Sequence, residues 1–116
     1  MRYTVSLKQN RDFRRLYAKG KNSASPVLAV YCRKNRLGVN RLGITVGGKL
    51  GNAVVRNKLR RRIREIYRTH EEAFLPGWDI VVVGRARAVR APYGTLQDSL
   101  LRLADKLGLL RREGTP

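Results

Sequence analysis

The basic residues between positions 52 and 68 are spaced for chemistry with a polyanion. Arg56, Arg60, Arg64 and Arg68 recur at every fourth position, so on a helix they form one stripe, which Asn57 and Arg61 widen. Like charges at this spacing destabilise a helix by roughly a few tenths of a kcal/mol per pair. Accumulating several of them calls for a compensating anion. Glu65 is the one acid in the segment, whereas an ordinary solvated helix face mixes its signs. Guanidinium forks match phosphate oxygens in pairs. Asn52 suits an N-cap, and Lys49 with the free N–H groups of the first turn can hold a phosphate. A second constellation is aromatic. Phe13 and Tyr17 lie one helical turn apart, and Tyr31 shares a strand face with Ala29 and Val27. A sheet aromatic beside a helix edge bearing two more makes a stacking groove for unpaired bases. Plain core packing is the competing reading, above all for Phe13.

Constellations for protein-based catalysis are not visible. The acids Asp12, Glu65, Glu71, Glu72, Asp79, Asp98, Asp105 and Glu113 are scattered, and the adjacent pair Glu71-Glu72 points apart on a helix. A metal nuclease needs its carboxylates clustered. His70 has no evident partner and reads as a solvated helix-end residue, and Cys32 is alone. Residues 43–49 approach a phosphate-binding loop, but Leu50 replaces the hydroxyl residue that would ligate magnesium, and Gly43 falls within a strand pattern. We therefore assign no catalytic residue and no metal ligand. Lys and Arg number 26 against 8 Asp and Glu in 116 residues, a formal charge of +18. That balance points to a nucleic acid rather than a small molecule or membrane. The N-terminus lacks a signal-peptide apolar region, and no apolar run approaches a membrane span. The chain reads as one cytoplasmic, monomeric domain over residues 1–116.

Positioning these residues requires the following elements. Residues 1–7 form an extended lead-in. Residues 8–19 form a helix on Phe13, Leu16 and Tyr17, stopped by Gly20. A loop over 21–26 leads to a strand at 27–33, paired in an antiparallel hairpin with a second strand at 41–46. Glycines 47, 48 and 51 precede the basic helix, whose core stripe is Val55, Leu59, Ile63 and Ile66. Residues 79–84 carry a continuous apolar run, read as a central parallel strand. A last helix over 92–106 has Pro92 at its first position and a stripe of Leu96, Leu100, Leu103 and Leu107. The predicted order is α-β-β-α-β-α, an α+β single-domain α-β sandwich.

The run GNAVVRNKLRRRIREIYR, residues 51–68, resembles the signature helix of the protein subunit of bacterial ribonuclease P, with Arg56-Asn57-Lys58 in place of its Arg-Asn-Arg core. DFRRLYAKG (12–20), RLGITVGGKLGNAV (41–54) and WDIVVVGR (78–85) resemble the family's first helix, the strand entering its signature helix and its third strand. The resemblance implies a β-α-β crossover of the left-handed kind, against the usual rule. It implies a protein that binds a catalytic RNA and assists removal of the 5′ leader from precursor tRNA. Hydrolysis would belong to the RNA, with Mg2+ held mainly by RNA and none assigned to the protein. Matched residues for the catalytic RNA are Arg56, Asn57, Lys58, Arg60, Arg61 and Arg64, with Asn52 and Arg68 closing the two ends. Those for the leader cleft are Phe13, Tyr17 and Tyr31, with Ala29 beside them and Lys49 at the rim. The chain departs from the family pattern in three places. Gly47-Gly48 replaces a polar or basic pair, Tyr17 stands where Phe is common, and Arg62 falls near Val55 and Ile66 where relatives are apolar. Arg62 either snorkels past the core edge or reaches RNA.

Overall fold

The apolar run Ile80–Val83 lies in the middle of a mixed sheet. We describe residues 1–112 of a computed structural model; Glu113 lies outside them. The elements are β1 (Thr4–Ser6), α1 (Asn10–Lys19), β2 (Lys21–Ala24), β3 (Leu28–Lys34), β4 (Asn40–Val46), α2 (Ala53–Thr69), β5 (Trp78–Gly84) and α3 (Tyr93–Lys106). Short 3-10 turns occupy Gly48–Leu50, Glu71–Ala73 and Ala86–Arg90. The sheet order is β1-β4-β5-β3-β2. The α+β class holds, but the order of elements is β-α-β-β-β-α-β-α, with a short strand added at each sheet edge.

The expected hairpin between 27–33 and 41–46 does not form. β5 lies between the two strands, parallel to β4 (Arg41 opposite Asp79) and antiparallel to β3 (Cys32 opposite Ile80). A strand apolar on both faces needs cover on both and partners along both edges, so it takes the centre. The connection from β3 passes beyond the end of β5, where Asn35 N–H donates to Gly77 O at 2.9 Å. Arg36 and Gly38 turn it there with φ of 62° and 77°. β1 pairs parallel to β4 and β2 antiparallel to β3. β1 falls within the extended lead-in, whereas β2 occupies what the sequence suggests is a loop. Their polar sequences, TVS and KNSA, suit edges that bury little.

Helix ends differ in detail. α1 begins two residues later than expected, after Gln9. Gly20 ends it with φ −73°, so close approach rather than left-handed backbone selects glycine: a Cβ there would lie 2.6 Å from Leu16 O. Pro92 is the N-cap of α3 rather than its first residue.

The sheet separates two unequal cores. On one face α2 and α3 bury Leu59, Ile63, Ile66, Leu96, Leu100 and Leu103 against β3, β4 and β5. On the other, α1 stands alone, and Leu16 packs with Leu7 and Val81 over a much smaller buried patch.

Candidate nucleic-acid interface

The basic helix is fixed at its start by Asn52, whose side chain accepts from Val55 N–H at 3.0 Å. Its buried side is Leu59, Ile63, Ile66 and Tyr67. Each step of four residues advances about 40° around the axis, so the arginine stripe leaves the core edge gradually. Arg56 and Arg60 are half-buried; Arg64 and Arg68 are exposed, as are Asn57, Lys58 and Arg61. Arg60 is drawn to Asn57 Oδ1 at 2.8 Å. Arg68 forks onto Glu65 at 2.9 and 2.5 Å. The hydrogen bonds from Arg68 hold the Glu65 carboxyl below the usual carboxylate range. Arg56 Nε is screened from solvent and has no acceptor among the described residues. Arg64 borders a notch between α2 and the β1–β4 edge, lined also by Thr4, Ser6, Leu42 and Ile44. Arg62 lies half-buried at the core edge, and its Nη2 donates to Ala91 O at 2.9 Å, tying α2 to the entry of α3.

The aromatic residues meet on the opposite face of the sheet. Tyr17 and Tyr31 stand edge to face, with ring centroids 5.0 Å apart and planes at 83°. Tyr17 OH and Thr45 Oγ1 share a 2.8 Å hydrogen bond. Tyr17 is 40% exposed, and Ala29 and Tyr31 are half-buried. Phe13 instead packs its ring edge Cε1–Cζ against Gly43, where a Cβ would stand 2.6 Å from both atoms. Its contact is with the α1 core. Lys49 joins a different group. It lines a shallow dish beyond the end of β4 with Leu50, Ala86, Arg87, Val89 and Arg90. Sequence reasoning missed Thr45, Arg87 and Arg90. The alternation of β4 puts Thr45 on the face of Arg41 and Gly43, a usable signal; nothing local relates positions 87 and 90 to 49.

Several carboxylates are already engaged. Arg41 forks onto Asp79 at 2.7 and 2.6 Å and reaches Asp12 at 3.5 Å. Glu71 accepts from Arg2 N–H at 2.7 Å and Tyr3 N–H at 3.3 Å. Among the described residues, no three His, Cys, Asp or Glu side chains converge as metal ligands. No helix among those residues is long and apolar enough to cross a membrane.

A five-stranded sheet carrying a cationic helix on one face and a pair of contacting tyrosines on the other defines a small basic α+β domain. The chain belongs to the ribonuclease P protein family, whose model, described as Ribonuclease P, matches residues 1–108. It is 36% identical over 112 residues to the ribonuclease P protein component of Natranaerobius thermophilus, covering 97% of each chain. Against that of Lachnoclostridium phytofermentans it is 42% identical over 99 residues, covering 85% of each. The RNase P protein of Staphylococcus aureus superimposes with a TM-score of 0.85 at 37% identity, over 92% of this chain and 98% of that one. That of Thermotoga maritima gives 0.77 at 37% identity, over 84% and 92%. The chain is thus a protein component of the ribonuclease P ribonucleoprotein, partnered with its RNA subunit and involved in tRNA 5′ processing.

Proposed function

We propose that α2 binds the catalytic RNA while the groove between α1 and the sheet holds the single-stranded 5′ leader of precursor tRNA. The observation that carries this reading is the separation of the two surfaces by one sheet. Ile63 and Ile66 of α2 pack on the face of Val82, and Leu16 and Tyr31 lie on the face of Val81. One molecule can therefore engage two RNA segments at once. The cationic stripe neutralises phosphates without reading sequence. Tyr17 and Tyr31 offer π-faces that accept any base. Hydrolysis is assigned to the RNA subunit, with Mg2+ held mainly by RNA; in support, Asp12 and Asp79 already face the Arg41 guanidinium and Glu71 already accepts backbone amides. The protein acts as a cytoplasmic monomer within the holoenzyme. Its lone Cys32 is buried, and burial pushes the thiol pKa up, against the lowering influence of Lys21.

The experiment is affinity of the assembled holoenzyme for long-leader, short-leader and mature tRNA. Base–aromatic stacking contributes roughly 1–3 kcal/mol per base. Tyr17→Ala or Tyr31→Ala should therefore weaken long-leader binding about tenfold or more. Mature tRNA should bind as to the parent. Equal losses on all three substrates would remove the groove assignment. Phe13→Ala is a poorer probe, because its ring supports the α1 core.

A further inference from the structure

We infer that Asp12, Gly43 and Thr45 are positioning residues: alternate residues of β4 hold α1 at a fixed place over the sheet and so set the Tyr17–Tyr31 corner of the leader groove. The inference rests on the groove reading above and goes beyond it to what shapes the groove. β4 turns Arg41, Gly43 and Thr45 toward α1, and each takes one α1 side chain. Arg41 is itself immobilised. Its Nε and Nη2 fork onto Asp79, directly opposite on β5, at 2.7 and 2.6 Å. Asn35 Nδ2 donates to the same carboxylate at 2.9 Å. The remaining Nη1 faces Asp12 Oδ2 at 3.5 Å, in the first turn of α1. Two residues along β4, the missing side chain of Gly43 admits the Phe13 ring, with Cε1 and Cζ 2.6 Å from where a Cβ would be. Two residues further, Thr45 Oγ1 meets Tyr17 OH at 2.8 Å. α1 is thus tied at both ends, with a close ring contact between the ties.

The seat of α1 is otherwise slight. The helix has ten residues, and its N-cap Gln9 makes no side-chain cap hydrogen bond. Its fully buried apolar contact is Leu16 with Leu7 and Val81. A helix held by so few contacts takes its exact place from its polar ties. The Asp12–Arg41 contact is long, and the desolvation of such a buried pair offsets much of its attraction, so it acts on geometry more than on stability. The Tyr17 and Tyr31 rings are perpendicular, so a base stacked on one presents its edge to the other. Such a corner tolerates little displacement, since errors on the order of 1 Å in a binding constellation are costly.

The test uses the holoenzyme with Asp12→Asn, Thr45→Val and Gly43→Ala proteins and the same three substrates. Asp12→Asn leaves the Arg41–Asp79 fork intact, so no buried cation is stranded. Asp12→Asn and Thr45→Val should each weaken long-leader binding by about tenfold and leave affinity for mature tRNA and for the RNA subunit unchanged. Gly43→Ala, which must lift the Phe13 ring, should lose most. Melting curves of Asp12→Asn and Thr45→Val should stay close to the parent, so a folding defect in Gly43→Ala does not decide the matter. If both single variants keep the parent's discrimination between long and short leaders, or lose equally on mature tRNA, the positioning role is overturned while the groove stands. If the parent itself shows no leader-length dependence, groove and positioning role fall together.

Discussion

Glu71 shows how much one carboxylate can organise. It is 5% exposed, and both oxygens accept backbone N–H groups of the N-terminal segment. The Tyr3 hydroxyl closes the same junction, lying 2.5 Å from Glu71 O and 3.1 Å from Phe74 O. Behind it, Thr4 Oγ1 meets Tyr67 OH at 2.8 Å, and fully buried Asn40 reaches Tyr67 OH, Leu75 O and Trp78 N–H. Burial alone would push the Glu71 carboxyl up, but the Thr4 side chain, then the amides of Arg2 and Tyr3, outweigh it and hold its pKa below the ordinary value. The folded-state pKa therefore lies below the unfolded one. The stabilisation is complete above the ordinary glutamate pKa of about 4.3 and is lost as pH falls through the folded-state value. Glu71→Gln should melt lower than the parent at neutral pH and lose less on acidification from about pH 5 to about pH 3. Parallel melting-temperature profiles for the two proteins would show that Glu71 is not the group responsible. None of this was legible in the sequence. Glu71 and Glu72 look alike there, and only the fold buries the first and leaves the second at the surface beside Arg2.

At the scale of elements, α2 carries the clearest prediction. Replacing Arg56, Arg60 and Arg64 together with Ala should weaken binding to the RNA subunit and flatten its salt dependence, by about 0.9 in slope per duplex phosphate contact removed. The fold should survive, because the buried side of the helix is Leu59, Ile63, Ile66 and Tyr67. The half-buried stems of Arg56 and Arg60 predict a modest loss of melting temperature. An unchanged salt slope would mean that the stripe is only solvated. This helix was readable in advance because its two stripes repeat within one segment, and a 3.6-residue period needs no distant partner to be seen. Strand adjacency was not readable in the same way. β3 and β4 are neighbours in sequence and run in opposite directions, yet β5 pairs with both. That choice is made by which strand must be covered on every side, a property of the whole sheet. β2 was missed because KNSA carries no apolar alternation, and β1 could be read only as extended because three residues do not reveal their partner strand. The Tyr17–Tyr31 contact could be anticipated from a helical turn and a strand face, whereas Lys49 with Arg87 and Arg90 depended on how separate turns meet.

At the scale of the whole molecule, the excess of charge decides what the protein contributes. The radius of gyration is 13.5 Å, close to the roughly 13 Å expected of a folded chain this long. The formal charge on that small body is +18. Asp12, Glu65, Glu72 and Asp79 already pair with arginines, and Asp98 and Asp105 lie on α3, so the acids leave the outer side of α2 almost unneutralised. A body of this kind lowers the cost of bringing RNA segments together, because its fixed cations replace part of the mobile ion atmosphere. Adding the protein to its RNA subunit should therefore shift the magnesium dependence of precursor-tRNA cleavage to lower concentration. The shift should be largest at low ionic strength and shrink as monovalent salt screens the stripe. The Arg56, Arg60 and Arg64 triple variant should give a smaller shift than the parent at matched occupancy. Tyr31→Ala should keep the shift on a substrate whose leader is too short to reach the groove. The purified protein alone should leave precursor tRNA intact across the same magnesium range, because Asp12, Glu65, Glu71, Glu72 and Asp79 serve cations or amides and no acids among the described residues gather as metal ligands. Cleavage at the mature 5′ end by protein free of RNA would contradict this division of labour. So would a magnesium requirement that saturating protein fails to move.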